Sequence, residues 1–240
     1  MSVHSEQNGP ALPSLFATFA VQTLAATAMF GVSVVASVAA PEIGVDATLI
    51  GTFTAIAYAS GLVIGLLTGA LADRFGAIRI CQLTMVFALM GCALLALSTP
   101  LAALASAVAL GFSYGPVNPV STHILARVVP ERSRPFYFSV KQTGMPAGAA
   151  LAGAVLPIVV AAYDWRIAIV SAGLAAALVA FLIQPLRRPL DAIRNPHQPI
   201  RAGNLLKPLA LVWTTPRLRS LGLMGFVYSG SQVAIATFYV

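Results

Sequence analysis

Gln22, Tyr114, Asn118 and Thr122 bring hydrogen-bonding groups into stretches that are otherwise almost wholly apolar. Tyr114, Asn118 and Thr122 recur every four residues, and Gln22 follows Thr18 by four, so on helices each set forms one polar stripe. The amides of Gln22 and Asn118 are costly toward lipid and therefore face the protein interior. Two uses follow: Gln22, Tyr114 and Asn118 line a cavity and hydrogen-bond a small solute, or they bond neighbouring helices, worth about 0.6 kcal/mol each. The hydroxyls of Thr18, Thr23, Thr27 and Ser121 have a third option, since each can bond a carbonyl of its own helix. His123 reads either as an interfacial group or as a proton relay, with Arg127 one turn away. Arg127 and Lys141 read as basic anchors at the ends of their segments, able also to attract an anionic solute.

Covalent chemistry finds no support. His4, His123 and His197 fall in three separate regions, so no metal cluster is visible, and no nucleophile stands in a pattern with a base. No cofactor is expected, and the chain does not read as an enzyme. Cys81 and Cys92 are eleven residues apart, roughly 16 Å along a helix, which is too far for a disulfide. They read as small apolar core residues.

Long helices must position these groups. Hydrophobic residues make up 58% of the 240-residue chain and charged residues 9%, and the mean hydropathy is +0.87. A soluble domain carries roughly 25% charged residues, so the lipid bilayer is the expected surrounding and nucleic acid is not a partner despite the net charge of +7. Uncharged runs cover about 15–40, 48–71, 80–98, 101–126, 142–163, 167–185 and 220–240, each near the ~20 residues needed to cross. They are continuous and about twice as long as the alternating strands of a barrel, so they are helices. All but one of the 14 Lys and Arg residues fall in alternate connections, after the second, fourth and sixth runs; the exception is Arg166. By the positive-inside rule the N-terminus is cytoplasmic, and an inner (cytoplasmic) membrane location is expected. The expected organisation is a tail over 1–14, six spans over 15–185, a Pro- and Arg-rich cytoplasmic linker over 186–219, and a seventh span over 220–240. A short surface helix is expected near 205–213.

The sharpest local signal is Gly69-Ala70-Leu71-Ala72-Asp73-Arg74-Phe75-Gly76-Ala77-Ile78-Arg79, between spans two and three. It resembles the cytoplasmic loop signature of the major facilitator superfamily, matched at Gly69, Leu71, Asp73, Arg74, Gly76 and Arg79. Gly69 is expected to let the helix end pack closely, Gly76 to make the turn into span three, and Asp73 and Arg79 to form charge-assisted contacts that hold one conformation and release in another. The resemblance implies an all-α bundle with a 3+3 inverted repeat, and a cavity lined by spans one and four, hence by Gln22, Tyr114 and Asn118.

Gly61, Gly65 and Gly69 in span two, and Gly144, Gly148, Ala152 and Gly153 with Pro146 in span five, mark faces where helices approach closely. Gly144-Met145-Pro146-Ala147-Gly148 loosely resembles a fifth-helix motif of antiporter members, with Met145 where Gly is usual, so no transport direction follows. The resemblance implies a secondary transporter for a small-molecule substrate, present here as an N-terminal half plus the seventh helix. The glycine faces of spans two and five are then expected to meet a missing C-terminal six-helix half. The alternatives are a homo-oligomeric seven-helix carrier and a structural membrane subunit.

Overall fold

The computed structural model describes residues 10–192, 194–196 and 206–238. The tail over 1–9, with His4, and most of the central linker, with His197, Arg201 and Leu205, lie outside the described residues.

Eleven helices follow one another among the described residues: α1 (Ala11–Ile43), α2 (Ile50–Phe75), α3 (Ala77–Ala96), α4 (Pro100–Tyr114), α5 (Val117–Val128), α6 (Arg134–Gln142), α7 (Gly144–Ala162), α8 (Trp165–Leu182), α9 (Arg187–Leu190), α10 (Leu206–Thr214) and α11 (Pro216–Phe238). Among the described residues six stretches are long and apolar enough to cross a membrane: α1, α2, α3, α4 with α5, α6 with α7, and α8 with α9. The seventh span expected over 220–240, described as part of α11, is not among them.

The ends of these helices are set by local chemistry. Gly44 closes α1 in the left-handed conformation at φ 80°, a shape that costs glycine little. Thr99 caps α4 by accepting the Ala102 N–H at 3.3 Å, with Pro100 in the first turn. Asp164 caps α8 through the Arg166 N–H at 2.6 Å. Pro116 and Pro119 cannot donate to the helical ladder, and α4 gives way to α5 at Gly115-Pro116.

The packing order shows the internal repeat directly. Span one (α1) lies along span five (α7), as span four (α4) lies along span two (α2); span three (α3) packs on spans four and six, as span six (α8) packs on spans three and one. Exchanging spans one to three with four to six leaves this set of neighbours unchanged, which is the signature of a 3+3 arrangement.

Glycines make both of the matched contacts possible. A side-chain carbon on Gly115 or Gly111 would run into the backbone of Gly61 or Ala57, and one on Gly61 would come within 3.1 Å of the Gly111 carbonyl. On the other pair, a side-chain carbon on Gly148 would run into the Thr23 carbonyl, and one on Gly144 would lie 3.1 Å from the Phe19 carbonyl. Gly65 faces the Gly115 carbonyl at 3.5 Å.

The expectation that these glycines await a second half is therefore corrected. They are used inside the six-span bundle, because the repeat places a small-residue face of spans two and five against spans four and one. Along their middles spans two and five leave large aliphatic side chains exposed: Leu62, Val63 and Leu66 on α2, and Leu151, Val155 and Ile158 on α7. Three further packing assignments fail. Gly69 and Gly153 have nothing within 4 Å of where a side chain would start, and Pro146 is exposed in the first turn of α7.

Candidate functional site

The signature between spans two and three is mostly helix. α2 continues through Asp73 and Arg74 to Phe75, and the turn consists of Gly76 alone, at φ 108°. Few L residues adopt that conformation, and a side chain there would also strike the Asp191 carboxylate.

Asp73 and Arg79, both expected to form charge-assisted contacts, meet different partners and not each other. Asp73 accepts from the Arg127 guanidinium at 2.9 Å, with His123 Nε2 at 3.5 Å. α2 and α5 end side by side, so the last turns of spans two and four face one another, whereas Arg79 lies beyond Gly76 on α3. Arg79 sits instead with Asp191, whose carboxylate accepts the N–H groups of Ile78 at 2.9 Å and Arg79 at 3.3 Å. Asp191 is buried; burial raises its carboxyl above the usual range, against the pull of those N–H bonds and of Arg79 and Arg187. The Asn195 N–H donates to the Asp73 carbonyl at 2.8 Å. The start of the central linker thus clamps the signature, a contact that sequence spacing did not reveal.

At the opposite ends of the helices, Arg166 ties three connections together. It pairs with Glu42 at 2.6 Å, donates to Ser98 Oγ at 3.0 Å, and lies over the Trp165 ring at 4.7 Å.

Between these two ends lies a cavity of about 580 Å³, walled by α1, α2, the α4–α5 break, the α6–α7 junction and α11. Gln22, Tyr114 and Asn118 all line it, and so do Tyr58, Gln142 and, from α11, Tyr228 and Gln232. The hydroxyl residues are mostly satisfied elsewhere. Thr18 bonds the Ser14 carbonyl at 2.8 Å, Ser121 bonds that of Val117 at 2.6 Å, and Thr27 bonds those of Thr23 and, across to α7, Gly148.

Both polar atoms of Gln22, which is only 2% exposed, have no hydrogen-bond partner among the described residues, and the buried hydroxyls of Tyr58 and Tyr114 have none other than each other. The two tyrosine rings meet edge to face at 5.7 Å, and Tyr114 meets Phe30 in the same way at 6.2 Å. Unpaired polar atoms buried in an apolar bundle are costly unless something else pairs with them. The cavity is therefore apolar in its walls with a few convergent polar groups, the usual make-up of a small-molecule site.

Lys141 departs most from its expected place. It is not an anchor at a membrane surface but 2% exposed, its ammonium donating to Asn118 Oδ1 at 2.6 Å and Thr122 Oγ1 at 3.2 Å. The connection after span four is shorter than the charge pattern suggests: α5 runs to Val128 and α6 resumes at Arg134, with Pro135 in its first turn. The extra helix carries Lys141 onto α5, beside the polar stripe. His123 is half-buried against Asp73. Among the described residues no group of His, Cys, Asp and Glu could hold a metal, and Cys81 and Cys92 are both buried free thiols.

Comparison with known proteins agrees with this architecture. The Major Facilitator Superfamily model matches residues 18–240. Among solved structures, 23 chains match. One is a crystal structure of a mutant of the peptide transporter POT in complex with sulfate, at 22% identity and a TM-score of 0.59, covering 93% of this chain and 48% of that one. The chain thus spans about half the length of this solved relative. No curated protein matches. A family match over nearly the whole chain, on a six-span bundle with the packing order of an inverted repeat, places this protein in the major facilitator superfamily.

Proposed function

We propose that the protein is a secondary transporter that moves a small solute across the cytoplasmic membrane by alternating access, with its N-terminus in the cytoplasm. The observation that carries this reading is the cavity itself. It lies midway between two charged ends, and Gln22 offers it an amide that the described residues leave unpaired, beside the hydroxyls of Tyr58 and Tyr114. Solute sites of such carriers lie near the bilayer midplane at the interface of repeats.

The cavity is walled on one side by spans one, two, four and five and on the other by α11 alone. In this reading a second six-helix half completes it and covers the aliphatic faces left exposed on α2 and α7. The half-length match to a solved transporter supports that arrangement. Asp73–Arg127 at one end and Glu42–Arg166 at the other act as contacts that form and release as the cavity opens to each side.

The test is solute counterflow in proteoliposomes. The 240-residue chain joined to a matching second half exchanges a labelled solute, and the chain by itself does not. Counterflow by the chain alone, with a mass in detergent corresponding to a defined oligomer, replaces this reading with a homo-oligomeric carrier.

A further inference from the structure

Lys141 is the one cation among the described residues that is fully buried. The ion pairs of the described residues draw on Asp73, Glu131, Glu42 and Asp164, and none of them reaches Lys141. Its contacts, Asn118 Oδ1 and Thr122 Oγ1, are neutral. An ammonium withdrawn from water is costly without a counter-charge, and in a membrane span such a group marks a solute or ion path. A purely structural bond between α5 and α6 would need no charge; a neutral amide at this position would make it.

The missing counter-charge has an obvious place to sit. Asn118, which receives the ammonium, lines the cavity, and so does the neighbouring Gln142. The buried amide of Gln22 reaches the same space without a partner, and the hydroxyls of Tyr58 and Tyr114 with none but each other. No carboxylate lines the cavity among the described residues. Lys141 itself stands behind the lining, one hydrogen bond away through Asn118. A cation solute at Asn118 would meet its charge with nothing to offset it, and a neutral one would leave that charge uncompensated.

We propose that the cavity selects a small organic anion of the carboxylate class, whose negative group pairs with Lys141 through or in place of the Asn118 contact, while Gln22 and the two tyrosines bond the rest of the molecule. The wall around them, with its Tyr58–Tyr114 edge-to-face pair, suits an apolar or aromatic body behind that acid group. This rests on the cavity being the solute site.

The experiment measures melting temperature of the purified protein against three acids and their uncharged amides: acetate and acetamide, benzoate and benzamide, succinate and succinamide. At least one acid raises the melting temperature, and its amide does not. Lys141→Gln weakens that acid by about 30-fold or more, the scale for removing one member of a desolvated charge pair, whereas Lys141→Arg keeps the shift. Arg retention also assigns the loss in the Gln variant to loss of charge, since Arg keeps the charge while changing the side-chain shape. No response to any acid, equal response to the amides, or an undiminished response in folded Lys141→Gln overturns the proposal. Counterflow of the same labelled acid separates the two readings. Binding without exchange defeats the transporter and leaves the anion site standing. Exchange of a neutral solute that ignores Lys141→Gln does the reverse.

Discussion

Asp73 owes its surroundings to two helix ends. It stands in the last turn of α2, and α5 brings Arg127 and His123 to it. A pair this exposed contributes little to stability, about 0–1 kcal/mol, so its value lies in being broken and remade. Asp73→Asn is expected to lower transport by about tenfold or more, equivalent to ~1.4 kcal/mol on the limiting step, with normal membrane insertion. Exchanging the two residues, Asp73→Arg with Arg127→Asp, restores part of the rate; unchanged transport in Asp73→Asn would reduce the contact to an ordinary surface pair. The glycines separate as clearly. Gly148→Val forces a side chain into the Thr23 backbone and should cost about 1–3 kcal/mol, read as a lower melting temperature. Gly69→Ala meets open space inside a helix and should be neutral or stabilising by up to ~1 kcal/mol, despite belonging to the family signature.

At the scale of elements, the joint between the central linker and α3 was hidden from sequence reading and is now the clearest local dependence. Asp191 lies more than a hundred residues from the N–H groups it caps, in a segment whose composition announced only prolines and charge. Removing the cap with Asp191→Ala should destabilise the fold by about 1 kcal/mol. Because burial already disfavours the charged carboxylate, Asp191→Asn should retain most of that stability. Equal losses in the two variants would assign the effect to charge and not to the hydrogen bonds.

What sequence could show at this scale was periodic: apolar runs, polar stripes every four residues, and glycines every four. Runs and stripes depend on the helix alone, and Gln22, Tyr114 and Asn118 do meet in one cavity. The partner of each glycine face, the partner of Asp73 and the burial of Lys141 depend on which helices become neighbours. That is fixed by the repeat, not by any local spacing. The surface helix expected near 205–213 corresponds to α10, Leu206–Thr214.

For the whole molecule, the proposed orientation predicts that reporters fused after Arg79 or Arg188 are cytoplasmic and those after Asp46 or Asp164 are external; swapped locations at two or more sites would overturn it. The central claim is that one cavity is reached from each side of the membrane in turn. Gln142 lines that cavity and is exposed to it, and the two native thiols are buried. The direct measurement is labelling of Gln142→Cys, in a Cys81→Ala, Cys92→Ala background of the protein with its second half, by a membrane-impermeant thiol reagent applied to right-side-out and then inverted vesicles. Labelling from both faces, with solute protecting each, is the predicted result. Labelling confined to one face, whether or not solute is present, would contradict the account.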